Sequence, residues 1–486
     1  MTNPLFDALF APHVTNDAPF LHLADGSTQS YRAFMEQVAR FAGMIVEKGL
    51  GVGDRLALRA EKSPAALAVY AACMQRGVIF LPLNPAYTTD ELRYFVEDSG
   101  AKLFVSDDPA AHAGLAPQVI ALNADHATPC TEVAARLPDD LAAFLYTSGT
   151  TGRSKGAMLT QDNLLSNARV LTDYWQFTQD DVLLHALPIF HTHGLFVATN
   201  ITLLTGGSMI FLPKFDIDQM IAHLPRATSM MGVPTFYTRL LQDARFDHAL
   251  TKHMRLFISG SAPMLAETHS RMKKRTGHRV LERYGMTETN MSTSNPYDGE
   301  RRAGTVGLPL PGVELKICDP QTGEVLPTGN IGVIEVRGPN VFKGYWQMPD
   351  KTAQELRSDG FFITGDLGFV DADGYVTIVG RGKDLIISGG FNIYPKEVEQ
   401  VIDDQPGILE SAVIGVSHAD LGEGVVAIVV ADGPLDLDDL RAVIAAKLAR
   451  FKQPRKIILV HALPRNTMGK VQKNVLRDTY ADVFLS

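Results

Sequence analysis

Lysine and arginine are missing from the first thirty-one residues, the first of them being Arg32. A secretory signal needs a cationic start and a transit peptide needs scattered arginines, so neither is expected and a cytoplasmic protein is. Nowhere do enough uncharged apolar residues run together to cross a bilayer. Cysteine is scarce: Cys73, Cys130 and Cys318 are odd in number and far apart, which makes neither a disulfide framework nor a zinc ribbon. Positive charge is in deficit, with 54 Asp and Glu against 45 Lys and Arg and a net charge of −9, and this argues against a nucleic-acid surface. It leaves nucleotides open as substrates, because loop amides and a few cations can converge on an anion. Internal repeats and low-complexity segments are also absent.

The 486 residues are enough for roughly three domains' worth of chain, and 45% hydrophobic with 20% charged residues is ordinary for a globular protein. From Tyr31 to Pro339 strand-like runs alternate with helix-like ones, as in "GDRLALRA", "PAALAVYAACMQRG", "VIFLPL" and "AKLFVSD". That alternation predicts a largely parallel sheet covered on both faces. Near Gly360 the texture changes to short strands with Gly and Asp turns. Beyond it lie a helix predicted at Pro395–Asp404, the strands "SAVIGV" and "GVVAIVVAD", and an amphipathic stretch in which Leu440, Val443, Ile444, Lys447, Leu448 and Phe451 recur at helical spacing. The expected division is a large α/β domain, 1–381, and a small α+β domain, 382–486.

The eleven residues Tyr146–Gly156, "YTSGTTGRSKG", follow the strand-like "LAAFLY". Glycines let backbone N–H groups approach an anion, hydroxyls add donors, and Lys155 adds charge, which together suit a polyphosphate. The string is not a Walker A loop, since Lys155 follows Ser154 and precedes Gly156.

This string resembles the phosphate-binding signature of the adenylate-forming enzymes, the superfamily of acyl-CoA synthetases, peptide-synthetase adenylation domains and luciferases. Its other signatures follow in order: "LPIFHTHG" from Leu187, "ISGSAP" from Ile258, "ERYGMTET" from Glu282, "FFITGDLG" from Phe361, "GRGKDLIISGGFNIYPKEVE" from Gly380 and "PRNTMGKVQK" from Pro464. The resemblance covers nearly the whole chain and, within the superfamily, is nearest to the malonyl-CoA synthetases. It implies a large N-terminal α/β domain with a small mobile C-terminal α+β domain. It also implies ATP, Mg²⁺, coenzyme A and a small carboxylic acid such as malonate as the molecules bound.

The same resemblance assigns roles. Lys470 matches the lysine that bridges the acid and the α-phosphate during adenylation, and it is a candidate for acetylation. Thr147, Ser148, Gly149, Thr150, Thr151, Gly152 and Lys155 match the phosphate loop, with Thr147 and Glu288 at the Mg²⁺-associated positions. Ser261, Ala262, Glu282, Arg283, Tyr284 and Thr287 fall on the segments lining the nucleotide. Asp366 matches the ribose-binding aspartate, Arg381 a nucleotide-contacting arginine, and Lys383 the hinge. His191 falls beside the substrate carboxylate. His191 and His193 could also be metal ligands, but no third ligand stands at supporting spacing, and His193 reads equally as a packed core histidine.

A dicarboxylate needs a fixed cation for its second charge, because a buried unpaired charge is costly. Arg239, one turn into a helix predicted to start at Pro234, is the first candidate, and Arg283 can share the role. Thr192 and Met286 match positions bordering the α-carbon of the acid, which leaves room for methylmalonate and little for a long chain. A synthetase for another short acid and a stand-alone adenylation enzyme remain as alternatives. No carrier-protein segment follows the Lys470 signature, which favours free coenzyme A.

Overall fold

A computed structural model describes residues 2–147, 154–262, 264–388, 391–418, 421–466 and 469–484. The strands of the first part form two sheets rather than the one expected from the alternation. One is six-stranded, in the order Gln118–Ala121, Leu103–Ser106, Arg55–Arg59, Ile79–Leu83, Leu141–Thr147 and Lys155–Thr160, parallel until the final antiparallel hairpin. The other is nine-stranded, with a parallel centre that includes Val182–His185, Ser229–Gly232, Leu256–Ser259 and Leu281–Met286, and antiparallel strands at both margins. Periodicity reports how each strand is covered, not how many sheets the strands join.

One core joins the two sheets. Leu56 and Leu58 of the first and Leu183 and Met209 of the second share it with the helix Pro64–Arg76, in which every residue from Ala66 to Gln75 is buried. Such a helix must be apolar all round, and "AALAVYAACM" is. Ser63 caps its start by accepting from Ala66 N–H, and Gly77 ends it at φ +66°. The neighbouring strand residues Ala57, Leu184, Ile210 and Phe257 point the other way, into separate outer cores. Both sheets are therefore covered on both faces, as expected.

A four-stranded antiparallel sheet follows, ending in Phe362–Val370 and Val376–Arg381, in which Asp366 pairs with Arg381. A single turn of 3₁₀ helix, Gly382–Asp384, leads to a five-stranded sheet built on the long hairpin Ile408–His418 and Gly422–Ala431. The helix Pro395–Asp403 covers one face of that sheet. The amphipathic stretch forms a shorter helix than expected, Leu437–Lys447. Asp436 caps its start, Leu448 is already extended, and Phe451 lies in a separate turn stacked on Phe391 at 4.6 Å. The apolar spacing continued past the point where the backbone turned, with Pro454 close behind.

Candidate active site

The signatures meet where the strands of the first part end. Ser148, Gly149, Thr150, Thr151 and Gly152 lie outside the described residues, but the hairpin that carries them is clear: Thr147 pairs with Lys155 at its tip. The Thr147 hydroxyl is buried and has no hydrogen-bond partner among the described residues. Lys155 lies 3.2 Å from Glu355 and 4.1 Å from the ring centre of Tyr345. The Tyr345 hydroxyl in turn stands 3.0 Å from Glu288 and 2.6 Å from Glu355. Glu288 is buried, and burial raises its carboxyl above the usual range. Tyr345 and Glu355 were not singled out from sequence; each reaches Lys155 from far along the chain, and no local pattern marks them.

The strand Leu281–Met286 delivers several site residues at once. Gly285 is required at its bulge, since a Cβ there would lie 1.7 Å from the Asn290 carbonyl oxygen. Tyr284 donates to Asp366 at 2.5 Å, and Arg381 holds the other oxygen of Asp366 at 2.8 Å. The aspartate is thus fixed from two sides while remaining acceptor-only. Glu282 is buried, its Oε1 has no partner among the described residues, and burial pushes its pKa up to about 8. Ser261 adopts φ +69°, rare for a non-glycine residue, and places its hydroxyl 3.3 Å from His193 Nδ1. Ala262 precedes Pro263, which lies outside the described residues, and Thr287 is half-buried beside Glu288.

Arg283 is buried, and its Nε and Nη2 have no partner among the described residues. Burial drives its pKa down to about 9, which still leaves it charged at neutral pH. Gly260 makes the room: a Cβ there would stand 2.3 Å from the guanidinium carbon. Gly260→Ala should therefore displace the guanidinium while leaving thermal stability nearly unchanged, because a flexible side-chain end can yield. On the assignment that the resemblance implies, a lower malonate efficiency with unaltered use of ATP, measured by steady-state kinetics, is the expected result. Arg239 lies on the helix Pro234–Gln242, as expected, but it is exposed and packs beside Phe215, 5.8 Å from its ring centre.

His191 and Thr192 open onto a seven-residue π-helix, His193–Thr199, a rare conformation that recurs at functional sites. Gly194 is required there, since a Cβ would meet the Pro188 carbonyl oxygen at 2.0 Å. Burial first, then the charges of Lys470 and Arg283, press the His191 pKa down to about 3, so the ring is neutral. Its Nδ1 accepts the backbone N–H of His193 at 3.4 Å, which puts the ring proton on Nε2. Thr192 is held by a 2.6 Å hydrogen bond to Asn290, and Met286 ends the adjacent strand.

From the small domain, Lys470 sits on a turn in which its N–H bonds to Asn466 Oδ1 at 2.9 Å, and Arg465 pairs with Glu410. Gly469, at φ +75°, lies near Thr235 of the large domain, whose hydroxyl oxygen a Cβ at 469 would meet at 3.8 Å. Part of Lys470 stays open to solvent, yet partial desolvation lowers its pKa, with Arg381 and Arg283 lowering it further and Asp366 and Glu288 opposing them. Lys470 therefore feels two cations and two carboxylates that come from separate strings of the large domain. Lys383 is exposed on the 3₁₀ turn between the domains, where Asp384 pairs with Arg477 at 2.5 Å.

Comparison with known proteins identifies the family. The AMP-binding enzyme family matches residues 11–346, and the AMP-binding enzyme C-terminal domain matches residues 397–470. The chain is 33% identical to a malonate–CoA ligase of Arabidopsis thaliana, covering 93% of this chain and 85% of that one. It is 36% identical to a feruloyl-CoA synthase of an Amycolatopsis species, covering 98% and 97%. The crystal structure of ATP-bound MatB from Rhodopseudomonas palustris is 55% identical over the whole of both chains, with a TM-score of 0.96; apo MatB gives 0.85. This chain belongs to the AMP-binding enzyme family.

Proposed function

We infer that the chain is an AMP-forming malonate–CoA ligase, which makes malonyl-CoA, AMP and pyrophosphate through a malonyl adenylate. The observation that carries the choice of acid is Arg283, a buried guanidinium with two unpartnered nitrogens next to His191. A buried cation without an anion is costly, and the distal carboxylate of malonate supplies the anion in the planar form that a guanidinium pairs best. Arg239 offers a second cation, on the helix whose start lies near the Lys470 turn. An acid with one carboxylate leaves the buried Arg283 without an anion.

In the first step a malonate oxygen attacks the α-phosphorus of ATP, and the bond to the β-phosphate breaks. His191 donates its Nε2–H to the reacting carboxylate, and Lys470 lies between that carboxylate and the α-phosphate, cancelling the charge that develops there. Asp366 accepts the ribose hydroxyls, while Glu282, Ser261, Ala262, Tyr284 and Thr287 line the base. Lys155 exchanges Glu355 for the outgoing phosphates. The Thr147 hydroxyl, without a partner among the described residues, and the Glu288 carboxylate are hard oxygen donors that fit Mg²⁺, which when bound would neutralise pyrophosphate charge. In the second step the coenzyme A sulfur attacks the carbonyl carbon and AMP leaves. A turn about Lys383 withdraws Lys470 and admits the thiol. Thr192 and Met286 border the α-carbon, where the methyl of methylmalonate fits. Acetylation of Lys470 removes the charge that the first step needs, and a cytoplasmic setting suits the three free cysteines. No described helix is long and apolar enough to cross a membrane.

Product analysis tests this reading. With ATP, Mg²⁺ and malonate, malonyl adenylate and pyrophosphate are expected without coenzyme A, and equal amounts of AMP and malonyl-CoA once it is added. ADP in place of AMP, or adenylate that does not respond to coenzyme A, would contradict it.

A further inference from the structure

We propose that Lys62 is a positioning residue of the acid pocket: through His185 it holds the Gly194 carbonyl, and with it the turn that presents His191 and Thr192. Lys62 follows the strand Arg55–Arg59 of the six-stranded sheet, and His185 ends the strand Val182–His185 of the nine-stranded sheet. Their contact therefore links the two sheets. Lys62 Nζ donates to His185 Nδ1 and to the His185 carbonyl oxygen, both at 2.8 Å, and lies 4.2 Å from the ring centre of Phe211. His185 Nε2 donates to the Gly194 carbonyl at 2.9 Å, and the same oxygen accepts from Thr199 at 2.9 Å.

Gly194 is three residues from His191, at the start of the π-helix, with the Pro188 carbonyl close against it. A shift of His185 is therefore passed to the turn that carries the acid-contacting groups. A packing role alone does not call for lysine here. Among the described residues Lys62 has no carboxylate partner, and burial drives its amine well below the ordinary value, as it does the His185 imidazole. Methionine would cover Phe211 without that desolvation cost, but it could not hold both His185 atoms.

The inference rests on the reading of His191 and Thr192 as acid-binding residues. It is tested by steady-state kinetics with the acid that the wild-type enzyme turns over best, so a preference for an acid other than malonate refutes the proposed function and leaves this test intact. Lys62→Met and His185→Leu should each raise KM for the acid about tenfold or more while KM for ATP stays within about twofold. His185→Gln should restore most of the acid KM, since its amide can accept from Lys62 and donate to Gly194. Should Lys62→Met fail to fold, the contrast between His185→Leu and His185→Gln decides. Parallel increases in both KM values, or a glutamine variant as impaired as the leucine one, would overturn the proposal.

Discussion

Lys470→Ala should nearly abolish malonyl-adenylate formation yet keep thioester formation from supplied malonyl adenylate within about tenfold of the wild type. The asymmetry follows from position. The Lys470 turn lies near Thr235, and its side chain feels Arg283, Asp366, Glu288 and Arg381, the groups proposed above to hold the nucleotide and the acid. A cation placed there serves the step in which negative charge builds between carboxylate and phosphate, a step catalysed by positioning and charge cancellation. Thiol attack on a finished adenylate has no such need. Separate assays, pyrophosphate exchange for the first step and coenzyme A consumption for the second, read the two directly. Equal loss of both would mean that Lys470 supports the fold of the small domain rather than the chemistry.

Arg283→Leu is expected to have the second large effect, and a selective one. Removing one partner of a buried charge pair costs on the order of 2–5 kcal/mol, so malonate efficiency should fall by roughly one and a half to three and a half decades at about 1.4 kcal/mol per tenfold. Acetate and propionate carry no distal charge, and their efficiencies should hold or rise. Arg239→Leu should act in the same direction but less strongly, because Arg239 is exposed and water can compensate part of what it loses. A proportional fall for all acids in the Arg283 variant would make that residue structural.

Much of this site was legible in the sequence because its residues stand in short strings at strand ends. Tyr284, Met286 and Glu288 come from one such string: the strand Leu281–Met286 with its bulge carries the first two, and Glu288 stands in the turn just after it. Asp366 and Arg381 come from two strings that a single register brings face to face. What could not be read is held by long-range contacts. Glu355 reaches Lys155 from 200 residues away, and Lys62 reaches His185 across 123, with nothing in either neighbourhood to announce the partner. The ranking of the two arginines is of the same kind: Arg283 is enclosed because Gly260 lacks a Cβ, a fact of packing between neighbouring strands. At the level of fold, the coverage of each strand was readable, whereas the division into two sheets was not.

On the proposed function, the pocket around Arg283 is built for a second carboxylate. The most direct measurement is the ratio of kcat/KM for malonate to that for propionate in the wild-type enzyme, with ATP and coenzyme A saturating and pyrophosphate release as the readout. The two acids differ in whether the end remote from the reacting carboxyl carries a charge. A ratio of about two decades or more in favour of malonate is the predicted result, and equal efficiencies, or a preference for propionate, would contradict it.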